Sequence, residues 1–175
     1  MKSQKKKYST PTAPFDKERL ERERVLLKEF GLRKKRELWR VEALLRKYRR
    51  LAREVAAKEN KEKGKLLVEK LIKMGLLSPD ATLDDLLSLS VRNFLERRLS
   101  TIVFKKGFAN SLGQARQFVT HGHVLVNGRK VYYPSYLVSK NEEAVIKVVV
   151  LNQKRKDVIN GGSAALQAPD GVQNG

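Results

Sequence analysis

Apolar residues recur at helical intervals through most of this chain and switch to strand-like alternation after residue 122. Residues 16–30 carry a helical pattern, with acids in the first turn facing the positive end of the helix dipole and Gly31 placed as a stop. A longer helix is expected over 33–58, where Leu38, Val41, Leu45, Tyr48, Ala52 and Val55 step by threes and fours and Leu44 and Leu51 widen the stripe. That stripe reads as a packing seam, with Trp39, the only tryptophan, expected to cap the core it builds. A polar break at 60–64 leads to a short helix at 65–74 stopped by Gly75, then to another opened by Thr82 and the acids Asp84 and Asp85. Residues 16–90 are therefore expected to form an all-helical module.

A further helix is expected from Ser90 to Gly107, with Val91, Phe94, Leu95, Leu99, Ile102 and Val103 on one side and Arg92, Arg97, Arg98, Thr101 and Lys105 largely on the other. Ser111 and Gln114 form a capping-box pattern for a helix that closes on Gly122. Strands follow at 123–126, 129–133, 136–140 and 144–150. Asn127-Gly128 between the first two is a strong signal for a tight hairpin, because both residues tolerate positive φ. Asn141, Glu142 and Glu143 are expected to be the last turn. The class is α+β: a helical module at 16–90 and an α-α-β-β-β-β unit at 91–150, with an extended basic arm at 1–15 and a flexible tail at 151–175.

The charge changes this picture from a fold to a function class. The 175 residues include 38 Lys and Arg against 19 Asp and Glu, a net charge of +19. Segment 1–63 has 22 basic and 10 acidic residues, 64–90 has 3 and 4, and 91–150 has 10 and 3. Two basic surfaces flanking a near-neutral middle are the electrostatic footprint of a polyphosphate partner. With no cysteine, the chain has no disulfide framework, thiolate zinc site or thiol nucleophile. No apolar run approaches the ~18–20 residues of a membrane span, and no signal-peptide pattern opens the chain, so a cytoplasmic location is expected.

Chemistry-bearing patterns are sparse. The pair His121 and His123 lacks the further ligands that zinc requires, and no GxGxxG, P-loop or GxSxG motif occurs. Lys106-Gly107-Phe108-Ala109 opens like an RNA-recognition-motif strand, but it lies between two helices and the following residues break the match. A non-enzyme without metal or cofactor is expected. The candidate contacts are Arg97, Arg98, Lys105, Lys106, Ser111, Arg116, Gln117, His121, His123, Asn127, Arg129 and Lys130 in the C-terminal unit. The helical module adds Arg33, Lys34, Lys35, Arg36, Arg40, Lys47, Arg49, Arg50 and Arg53, and the arm adds Lys5, Lys6 and Lys7. Arginine forks, amide donors and a helix N-terminus brought to one groove suit phosphates.

Phe94-Leu95-Glu96-Arg97-Arg98-Leu99, Lys106-Gly107-Phe108-Ala109, Gln114-Ala115-Arg116-Gln117, His121-Gly122-His123-Val124, Val126-Asn127-Gly128 and Pro134-Ser135-Tyr136 together resemble the RNA-binding domain named after small-subunit ribosomal protein S-four. The upstream run from Gly31 to Arg40 resembles the archaeal and eukaryotic branch of that family, known as S-nine in eukaryotes. The resemblance covers about 8–150 and implies a primary ribosomal RNA-binding constituent of the small subunit. It would clamp a multi-helix junction, support assembly and border the channel through which messenger RNA enters. The implied partners are small-subunit ribosomal RNA, neighbouring small-subunit proteins and messenger RNA. Two other readings stay open: an RNA-binding module of an RNA-modifying system, and a helical scaffold that binds acidic proteins through the 33–53 face.

Overall fold

The computed structural model describes residues 6–58 and 61–149. The expected tail at 151–175, the end of the last expected strand at Val150, and Lys5 lie outside the described residues. The element order is α1 (Lys17–Glu29), α2 (Lys35–Ala57), α3 (Lys61–Lys73), α4 (Leu83–Ser88), α5 (Val91–Glu96), α6 (Leu99–Lys105), α7 (Leu112–Thr120), β1 (Val124–Val126), β2 (Arg129–Lys130), α8 (Lys140–Ala144) and β3 (Lys147–Val148). Helices thus dominate, with one small sheet near the C-terminal end, as the α+β reading expects.

The seam on α2 organises the first core. Leu38, Val41, Leu45, Tyr48 and Ala52 are all buried there, and they pack with Leu71 of α3, Leu86 of α4 and Phe94 and Leu95 of α5. A fully enclosed leucine of this kind contributes about 1.5–3 kcal/mol relative to an exposed one. Phe94 and Leu95, placed by the sequence reading in the C-terminal unit, are thus part of the helical cluster. Trp39 does not cap this core. Its indole N–H donates to Glu23 Oε1 at 3.0 Å, and its ring lies 5.9 Å from that of Tyr8. The arm is consequently laid along α2, where Arg46 also donates to Ser9 Oγ at 2.9 Å.

The second core contains Leu99, Ile102 and Val103 of α6, Ala115 and Val119 of α7, Val124 and Val126 of β1, and Val138 and Ile146. Its sheet has the order β2-β1-β3 with both pairings antiparallel. Asn127 at φ 50° and Gly128 at φ 76° make the tight turn between β1 and β2 that the Asn-Gly pair predicts.

Four local expectations fail, each for a tertiary or capping reason. The helix expected through Ser90–Gly107 is interrupted at Arg97–Arg98. There the backbone is captured by residues 136–138: Leu99 N–H donates to Tyr136 O at 2.8 Å, and Val138 N–H donates to Arg97 O at 3.0 Å. The expected strand at 136–140 reduces to a single bridge between Leu137 and Arg98. The expected turn at Asn141–Glu143 is the helix α8, closed at its start by a capping box in which Ser139 accepts from Glu142 N–H and Glu142 accepts from Ser139 N–H. Thr101, expected on the polar side of its helix, is buried because the interruption resets the helical phase.

Candidate nucleic-acid interface

Helix α2 begins where the chain is most basic, so its first turns carry cations alongside the apolar seam. Lys34, Arg36 and Arg40 line one wall of a cleft of about 520 Å³. Lys7 of the arm lines it too, while Arg98, Arg116 and the segment Pro134, Ser135 and Leu137 belong to the C-terminal unit. Among the described residues, Glu37 is the one carboxylate on the wall. A neighbouring hollow is lined by Lys6, Tyr8, Thr10, Lys34, Lys35, Arg36 and Trp39, so the same turn of α2 serves both.

Glu37 holds the deep end of the cleft together. Its Oε2 accepts from Arg98 at 2.6 Å and from Arg116 at 3.0 Å, and its Oε1 accepts from Arg116 at 2.8 Å. Burial opposes ionisation of this carboxyl, but the hydrogen bonds from Arg116 and Arg98 outweigh it and hold the group below its usual range. Burial likewise pushes the Arg98 guanidinium down, with Glu37 acting against it.

This geometry corrects the role expected for the arginines at 97, 98 and 116. Arg98 is 2 % exposed and faces a carboxylate of its own chain, so it is a joint between α2 and the C-terminal unit and not a contact surface. Arg116, at 24 %, shares that carboxylate while still reaching the cleft. Arg97 turns elsewhere, pairing with Glu143 at 2.6 Å and donating to Val138 O.

Comparison with known proteins places this architecture. The S4 domain matches residues 97–143. The small ribosomal subunit protein uS4 of Korarchaeum cryptofilum is 52 % identical over 149 residues, which covers 84 % of this chain and 90 % of that protein. That of Ignicoccus hospitalis is 51 % identical over 147 residues, covering 81 % and 87 %. The chain belongs to the uS4 family. The uS4 protein of Saccharolobus solfataricus is similar as well, at 48 % over 153 residues, 85 % of this chain and 84 % of that one.

Within this uS4-family chain the remaining candidates fall into separate groups. Lys105 pairs with Glu96 at 2.9 Å and lines a different hollow with Arg97, while Lys106 donates to the Glu143 carbonyl. Ser111 is exposed, but its Oγ is engaged as the cap of α7, accepting from Gln114 N–H at 3.2 Å. Gln117, His121, Asn127, Arg129 and Lys130 are exposed and His123 is half-buried; none of them lines the cleft. Arg33, just before α2, and Lys47, Arg50 and Arg53 on it are exposed, with Arg50 facing Glu54 at 3.4 Å. Lys35 is drawn to Glu23 at 3.3 Å, and Arg49 is half-buried and donates to Leu89 O at 2.7 Å. Lys6 and Lys7 are exposed on the arm.

Two acidic residues that matter here went unread in the sequence. Glu37 is the single acid between Arg33 and Arg40, and that isolation is the signal that marks it. Glu23 is buried between Arg19, Lys35 and Trp39. Burial opposes its ionisation, and the bonds from Trp39, Lys35 and Arg19 keep its carboxyl below the usual range all the same. It fixes the start of α2 against α1 and thereby orients the basic turn.

Proposed function

We propose that this chain is a structural, non-catalytic constituent of the cytoplasmic small ribosomal subunit that binds ribosomal RNA in the cleft between α2, the arm and the C-terminal unit. The observation that carries the reading is the convergence of Lys7, Lys34, Arg36, Arg40 and Arg116 from three separated segments on one concave surface, whose only carboxylate among the described residues is already engaged. The names of the uS4 relatives support the same subunit.

In this reading the two units brace adjacent RNA helices at a multi-helix junction and support assembly, with no bond made or broken. The partners include neighbouring small-subunit proteins, and the exposed basic face of α2 borders the path by which messenger RNA enters. A-form duplexes hide their base edges in a deep major groove, so recognition rests on phosphates, 2′-hydroxyls and unstacked junction nucleotides.

The test is the salt dependence of binding to a small-subunit RNA junction fragment. Five neutralised phosphates give a slope of log affinity against log salt of about −4, and changing Lys34, Arg36 and Arg40 together to Gln makes it shallower by about 2 to 3. A slope unaltered by the triple change would refute the cleft as the binding surface.

A further inference from the structure

The outer face of the small sheet is built unlike a solvent-facing surface. The register pairs Leu125 with Lys130 on one side and with Lys147 on the other, and these directly opposed residues share a face. One step along, Val124, Val131 and Val148 turn inward to the second core. One step further, His123 lies between Tyr132 and Val149, as the bonds from Val131 N–H to Val124 O and from Val149 N–H to His123 O require. The outward rows are therefore Lys130–Leu125–Lys147 and Tyr132–His123–Val149, with cations, rings and aliphatics but no acid.

The Tyr132 ring is exposed yet held. It is 52 % exposed. It rests on Gly122, which has φ 74° and where an added Cβ would come within 2.5 Å of the ring Cε1, so glycine leaves room for that seat. On either side of Gly122 in the chain, His121 and His123 have ring centroids 6.3 Å apart, and Phe118 meets His123 edge-on at 6.1 Å. The nearest acids in sequence are engaged elsewhere: Glu142 by Ser139 and Tyr136, and Glu143 by Arg97. Pro134 and Ser135, just after Tyr132 and Tyr133, already line the cleft.

We propose that this sheet face is a stacking platform for an unstacked nucleotide of single-stranded RNA, with Tyr132 supplying the ring and Lys130 and Lys147 the phosphate contacts. The inference rests on the RNA-binding reading above and assigns the contact with an unstacked base to a particular face, outside the cleft. Any base offers a π-face to an aromatic ring, so such a platform tolerates sequence while demanding that a base be present. The acid-free rows favour a polyanion over a protein surface, which would bring carboxylates only in patches.

The experiment titrates the full chain with a short oligoadenylate and with an abasic strand of equal length. Changing Tyr132→Leu lowers affinity for oligoadenylate about ten- to hundredfold, the equivalent of one lost base stack, and leaves the abasic strand unaffected. The Tyr132→Phe variant keeps wild-type binding. Equal losses for both strands, wild-type binding by the Leu variant, or no oligoadenylate binding by the wild type would each overturn the platform. So would unchanged RNA affinity combined with lost co-sedimentation with small-subunit proteins, which would make the face a protein-docking site. The Lys34, Arg36 and Arg40 triple variant tests the cleft separately, because it weakens the abasic strand too.

Discussion

Changing Glu37 to glutamine preserves the shape of the side chain and removes the charge that two arginines share. Arg98 is 2 % exposed and would be left ionised without its counter-charge. Breaking one partner out of a buried pair costs about 3–5 kcal/mol, whereas the more exposed Arg116 arm adds only about 0–1 kcal/mol. The glutamine carbonyl still accepts one hydrogen bond, which moves the expected loss toward the lower end, about 3 kcal/mol. Urea unfolding followed by the single tryptophan, Trp39, reads this directly. With a slope of about 2 kcal/mol per molar, the midpoint falls by about 1.5 M. A second arm of the test combines Glu37→Gln with Arg98→Met. Because the methionine needs no counter-charge, the two losses should be far from additive, with coupling above about 1.5 kcal/mol. A midpoint shift below about 0.3 M, or strict additivity, would refute the assignment of Arg98 and Glu37 as the joint.

The same pair sets an acid dependence. Glu37, Glu23 and Glu142 all have carboxyls held below their usual range, so their stabilisation is fully present above the ordinary carboxylate pKa and is lost as pH falls through the lower folded values. Glu42 works the other way, since burial, aided by the nearby Glu23, raises its carboxyl. Urea midpoints measured from neutral pH downward should therefore drop below about pH 4, and Glu37→Gln should flatten that drop; an unchanged profile in the variant would count against it. Ser139→Ala removes the cap of α8 and should cost about 1 kcal/mol in the same assay, with no change expected from Ser135→Ala, which caps nothing.

The helical seam of α2, the Gly31 stop after α1, the Ser111 cap of α7 and the Asn127-Gly128 turn were all legible, because period and local capping chemistry decide them within a few residues. The break at Arg97–Arg98 was not, since it depends on backbone partners some forty residues away at 136–138. Helix α8 was legible in principle: Ser139 followed by Glu142 is a capping box, outweighed in the sequence reading by the β-rich runs around it. For the site, charge pointed to the basic turn of α2, where Lys34, Arg36 and Arg40 are exposed, but charge counting treats every arginine alike. It could not separate Arg36, which faces solvent, from Arg98, which faces Glu37, because that distinction lies in a long-range contact. Exposed aromatics such as Tyr132 and Tyr133 were passed over because β-rich patterning hides which strand residues turn outward.

The interruption between α5 and α6 has one more implication. The single extended residue Arg98, with its neighbours pinned on one side by residues 136–138 and its own side chain on the other by the carboxylate of α2, ties the helical cluster to the sheet unit. These ties lie within one folded chain, so they bias the mutual angle of the two parts ahead of any encounter. A partner whose own shape is still fluctuating would then meet a preset mould, and the entropy lost on docking would come chiefly from the partner's side.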